Sequence, residues 1–165
     1  SSANLASAVT DETGTGSLVF ATAPSLVGKV AITGTTSIEE VIEAVEISAT
    51  TSGTIGFAVL EGAVDYYNVD QTGDRTINFI GDGSTALNAT IAIGEAVTVA
   101  VIMKQGGTPY YLNTYQVDGS GVTPLWQGGT APAAGNASST DAYTFTIIKT
   151  ADATFTVLAS QSQFA

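Results

Sequence analysis

Residues 141–159, DAYTFTIIKTADATFTVLA, decide the fold of this chain. Tyr143, Phe145 and Ile147 alternate with Thr144 and Thr146, and Phe155 and Val157 resume the alternation after Ala151-Asp152. Successive side chains of a strand point to opposite faces, so a period of two in aromatic and β-branched residues marks a half-buried strand. Two such runs around a tight turn predict a C-terminal β-hairpin.

Working outward, the same pattern recurs. Residues 96–104 (AVTVAVIMK) are apolar at nearly every position, which predicts a central strand covered on both faces. Residues 54–60 (TIGFAVL) and 64–69 (VDYYNV) flank a Gly-containing turn and predict a hairpin. Residues 75–80 (RTINFI) and 110–117 (YYLNTYQV) end at Gly81-Asp82-Gly83 and Asp118-Gly119. Turns at intervals of roughly ten residues, with no long helix, predict an all-β fold: an antiparallel β-sandwich, jelly-roll-like. No repeat of 20–50 residues is visible, which argues against a solenoid.

Three segments read differently. Residues 84–94 (STALNATIAIG) are apolar at irregular spacing and fit a helical turn across one end of the sandwich. In residues 37–49 (SIEEVIEAVEISA), Ser37 and Glu40 fit a capping box, while Val45, Ile47 and Ala49 have strand spacing. One helical turn feeding a strand is expected there. Residues 1–36 hold only two short apolar runs, 18–21 (LVFA) and 30–32 (VAI), separated by Pro24. They read as an extended N-terminal arm or shaft-connecting segment that packs on a neighbouring subunit, ahead of a β-sandwich domain over 37–165. A plain linker is the alternative reading. Ser1 in place of Met reads as a fragment or a processed form.

Composition excludes several functions. Four Lys and Arg against fifteen Asp and Glu give a formal net charge of −11, which repels nucleic acid and anionic lipid. With 44 % apolar and 12 % charged residues the chain is nonetheless a folding sequence. The absence of Cys and His rules out disulfides, thiolate metal sites, Cys nucleophiles and His-based triads. No apolar run reaches the ~18 residues that span a bilayer.

Candidate chemistry is sparse. Asp65, Asp70, Asp74 and Asp82 are weak candidates for cation ligands, but EF-hand spacing is absent and Asp beside Gly also makes turns. Glu39, Glu40, Glu43, Glu46, Glu61 and Glu95 offer no glycosidase-like pairing. Tyr66, Tyr110, Tyr115 and Trp126 are interaction-surface candidates, since aromatic faces anchor partners and stack on sugars. Leu18, Val19 and Phe20 of the arm are candidates for burial against a partner. The long, almost uncharged loop over 123–140 is the kind that function or a neighbouring chain stabilises.

Four segments carry a resemblance: residues 9–22 (VTDETGTGSLVFAT), 122–131 (VTPLWQGGTA), 141–149 (DAYTFTIIK) and 153–165 (ATFTVLASQSQFA). They resemble segments of tail-fibre and capsid-decoration virion proteins of tailed bacteriophages, especially marine phages. The resemblance implies a non-enzymatic structural protein without cofactor, a homotrimer on the surface of the virion among other virion proteins. It implies either a terminal tail-fibre module in contact with a host-surface glycan or receptor, or a capsid decoration (cement) protein. A carbohydrate-binding or carbohydrate-degrading domain is the alternative from another class. The family has no catalytic residues to transfer.

Overall fold

The computed structural model describes residues 35, 37 and 39–165. The arm expected over 1–36 therefore lies, except for Thr35, outside the described residues, and so do Leu18, Val19 and Phe20. Val41–Ala165 form one compact unit, and the fold is the fold of that unit.

It is all-β and built from two sheets. The strands are β1 (Val45–Ser48), β2 (Gly53–Ala58), β3 (Val64–Tyr67), β4 (Arg75–Ile80), β5 (Ala96–Lys104), β6 (Leu112–Val117), β7 (Ser120–Gly121), β8 (Leu125–Trp126), β9 (Thr140–Ala151) and β10 (Thr154–Phe164). A short helix, α1 (Leu87–Thr90), lies between β4 and β5. The larger sheet runs β1-β3-β5-β9-β10-β8 and the smaller β2-β4-β6-β7.

The sheets face each other, and alternation explains which residues meet. Ile55, Phe57, Ile77, Phe79, Leu112 and Val117 from the smaller sheet oppose Val99, Val101, Met103, Tyr143, Phe145, Ile147 and Val157 from the larger one, all buried. The Phe79 and Phe145 rings meet edge to face across the layer at 5.0 Å. Each buried aromatic or aliphatic side chain removes enough apolar surface from water to contribute roughly 1.5–3 kcal/mol.

The pairing corrects the expected antiparallel, jelly-roll-like arrangement. Among the described residues β1–β3, β3–β5, β2–β4, β4–β6 and β8–β10 pair in parallel; only β5–β9, β9–β10 and β6–β7 are antiparallel. From β1 to β6 the chain steps to the opposite sheet at each strand and lays each new strand beside the last one there. It winds like the coils of a solenoid, without a sequence repeat. The expected hairpin over 54–69 is one of these crossings: β2 pairs with β4 and β3 with β5. The physical reason is reach. Four or five connecting residues extend to about 15 Å, enough to cross the ~10 Å between packed sheets, so a short turn does not oblige its flanking strands to pair.

Where pairing is local, the structure has the elements that the sequence predicts. β9 and β10 form the expected hairpin, in register from Phe155↔Lys149 to Phe164↔Thr140, with Asp152 and Ala153 in the turn. Asp118 and Gly119 both adopt positive φ (50° and 78°), the geometry that a two-residue turn between β6 and β7 demands. The helical turn expected within 84–94 is α1. The turn expected after Ser37 is absent among the described residues: residues 40–44 have no regular structure and lead straight into β1. β5 is central, but it is fully covered on its inner face only, with Thr98 and Lys104 exposed on the other.

Residues 123–140 are not a free loop. They contain β8 and a single 3-10 turn, Gln127–Gly129, and β8 closes one edge of the larger sheet against Leu158 and Ala159. α1 is held by polar groups from distant segments. The Asp118 carboxylate accepts the Leu87 and Asn88 amides at 2.6 and 2.9 Å, and the buried Lys149 ammonium donates to the Asn88 and Ile91 carbonyls. A negative group at the start and a positive one at the end suit the helix dipole.

Candidate interaction surface

The outward face of the larger sheet is where this chain departs from an ordinary solvent surface. Because β1, β3 and β5 are aligned in parallel, their outward residues form rows. Ile47, Tyr66 and Ile102 form one, and Val45, Val64 and Ala100 the next. Val45 is 46 % and Ile47 65 % exposed, and the approach to β1 leaves Ile42 91 % exposed. Farther across, Leu125 and Leu158 pair side by side and are also exposed. Among the strand residues of this face the one charge is Lys104 at its margin, paired with Asp70 at 2.9 Å. The outward face of the smaller sheet carries Thr54, Gly56, Thr76, Asn78, Thr114 and Gln116, a small and hydrogen-bonding surface.

Behind β1 the opposite holds. Glu46 is in register with Asp65, and Asp65 is 6 % exposed. Burial, with the Glu46 and Glu61 carboxylates adding to it, pushes the Asp65 carboxyl up to about 6. Tyr67 donates a hydrogen bond to Asp65, and burial followed by the Asp65 charge pushes the phenol up to about 12. On Tyr67 rests the guanidinium of Arg75, 4.2 Å from the ring centroid. Arg75 is 2 % exposed and donates to Gly53 O, Thr50 O, Thr50 Oγ1 and Gln71 Oε1, stitching the start of β2 to β4. Burial lowers its pKa, and the arginine stays charged.

The candidate cation ligands do not converge. Asp65 is in the buried cluster just described. Asp70 pairs with Lys104, and Asp74 accepts the Tyr111 amide and the Asn113 side-chain amide at 3.2 and 3.3 Å. Asp82 accepts the Ser84 and Thr85 amides, both at 2.7 Å, in a self-bonded turn; the Ser84 amide foremost holds its carboxyl below the usual range. Among the described residues no group of three acidic side chains is placed to share a metal ion.

The aromatic candidates divide. Tyr66 lies half-buried in the outward row. Tyr115 and Trp126 instead turn toward each other, ring centroids 5.5 Å apart, and both lean on Phe145. They close the interior beneath β8, and the Tyr115 hydroxyl donates to the Leu112 carbonyl. Tyr110 lies in the loop ahead of β6, its amide bonded to Gln105 Oε1 at 2.9 Å. The spacing of the long apolar residues in β1 and its approach fits helix or strand and carries no sign of their exposure. The signal available was the alternation Val45, Glu46, Ile47 in β1, which puts Val45 and Ile47 on the face opposite Glu46.

No protein family, curated protein or solved structure matches the chain.

Proposed function

We propose that this chain is a structural protein of a tailed-phage virion that works by contact between copies, as a homotrimeric module at the end of a tail fibre displayed toward the host surface. The observation that carries this reading is the outward face of the larger sheet, whose strands carry no charge but Lys104 and whose apolar rows continue onto the open strand β1. Monomeric proteins rarely leave a contiguous apolar patch beside an unpaired strand edge, because such a surface associates. Threefold closure hides the same patch on every copy. The four segments that resemble fibre and decoration proteins supply the virion setting. Decoration of a capsid is the second reading within the same class, and the two differ only in which virion proteins the N-terminal residues meet. A sugar-binding role is less well supported, since Trp126 and Tyr115 pack on each other and on Phe145.

Sedimentation equilibrium of the full chain tests the contact between copies. Three times the chain mass is expected, and Ile47→Asp on the outward row should return it to one. A monomer at all concentrations up to the millimolar range contradicts the proposal. Imaging intact particles then separates fibre tip from capsid surface.

A further inference from the structure

β1 is held to the larger sheet by little besides its main chain. None of Val45–Ser48 is buried, and none joins the core. Four register positions along β3 hold it, together with Ser48 O accepting the Asn68 amide at 3.2 Å and the Glu43 carboxylate accepting the Ala63 amide at 3.2 Å. A repulsion works against these bonds. Parallel register sets Glu46 beside the buried Asp65, and Glu61, ahead of β3, adds a second carboxylate near it. In-register residues of neighbouring strands lie about 4.8 Å apart, close enough for like charges to weaken the pairing. No cation pairs with Asp65 among the described residues. Arg75, from β4, rests on the Tyr67 ring and gives its nitrogens to Thr50, Gly53 and Gln71. β5 places Val101 in register with Asp65, and β2 carries no charged residue over Gly53–Ala58. The Tyr67 hydroxyl donates a hydrogen bond to Asp65, which leaves its charge unanswered.

We infer that β1 is a pH-sensitive latch, docked firmly on β3 when Asp65 is protonated and loosened when Asp65 and Glu46 are both charged. Docking buries Asp65 and brings Glu46 beside it, and a neutral carboxyl tolerates both better than a carboxylate does. Asp65 therefore binds its proton more tightly with β1 docked than with β1 released. Its carboxyl stands at about 6 in the folded chain against an ordinary 3.8, so docking strengthens as pH falls through 6 toward 4. The exposed strand edge changes with it. In acid the sheet ends on β1, with Val45 and Ile47 beside the open edge; release near neutrality uncovers the edge of β3. The latch belongs to a single chain and operates whether or not copies associate.

Hydrogen exchange of the full chain at about pH 7.5 and about pH 5 tests the latch. Rates are divided by those of unstructured amides at each pH and extrapolated to zero protein concentration, so that contacts between copies do not enter. At the higher pH the β1 amides should exchange at least about a hundredfold faster than those of β9, because β1 opens by itself. Protection of β1 should then rise by up to about tenfold at the lower pH. Asp65→Asn should be protected alike at both values. Glu46→Gln changes only an exposed side chain, and serves should Asp65→Asn fold poorly; it should raise protection at the higher pH and shrink the difference. Three results overturn the inference: β1 as protected as β9 at the higher pH, a pH effect below about twofold in the natural chain, or an undiminished pH effect in both variants.

Discussion

The two ends of the six-stranded sheet are finished in opposite ways. At one end β9 and β10 pair over eleven positions, send Tyr143, Phe145, Ile147 and Val157 into the core, and are closed by β8 with Trp126. At the other end β1 pairs over four positions, presents Glu46 to a buried carboxylate, and turns Val45 and Ile47 to solvent. The first end is stabilised by its own packing. The second leaves Val45, Glu46 and Ile47 all exposed, with two apolar side chains on its outward face beside an open edge. What this teaches is that stability and assembly are separated along a single sheet.

The largest expected effect breaks the closed end. Phe145→Ala removes the ring that meets Phe79, Tyr115 and Trp126, and should lower stability by about 3–5 kcal/mol in chemical denaturation. Ile47→Ala at the open end should change the stability of the dissociated chain by less than about 0.5 kcal/mol. Equal losses at the two sites would erase the contrast.

The next effect belongs to the open end. The Asp65 carboxyl is raised in the folded chain to about 6 from an ordinary value of 3.8. The folded state therefore binds a proton more readily than the unfolded state, and stability should rise as pH falls from 7 toward 4 and then level off. Asp65→Asn should remove most of that slope and stabilise the chain at pH 7 by on the order of 2 kcal/mol. Denaturation midpoints measured across that pH range for both proteins check it; a slope unchanged in Asp65→Asn would place the titrating group elsewhere.

Smaller effects concern the clamp on α1 and the hairpin turn. Lys149→Met keeps the buried stem but leaves the Asn88 and Ile91 carbonyls without their donor, a loss of about 1–3 kcal/mol by thermal denaturation. Ala153 adopts φ of 48° in the β9–β10 turn, a left-handed conformation that glycine adopts without penalty. Ala153→Gly should raise stability by up to about 1 kcal/mol in thermal denaturation, since the strain relieved exceeds the flexibility added to the unfolded chain.

The same contrast explains what was legible in the sequence. The hairpin over 141–159 could be read because its strands pair with their sequence neighbour, and period-two alternation then fixes both face and partner. The Asp118-Gly119 turn was legible for the same local reason. The winding of β1 to β6 was not, because alternation says which face of a strand is buried and nothing about which distant strand lies beside it. The buried Arg75 escaped as well: its donors are satisfied by Thr50, Gly53 and Gln71, and no acidic partner in the sequence announced it. The inward packing of Trp126 has no sequence signature, because β8 is only two residues long, too short to show a pattern.

Amide hydrogen exchange at Val45–Ser48 of the full chain, followed over a wide range of protein concentration, tests most directly whether another copy completes the open end. The account expects slow exchange at high concentration, approaching that of β9, and fast exchange on dilution while β9 stays protected. Exchange at β1 that does not change with concentration, whether fast throughout or slow throughout, would contradict it.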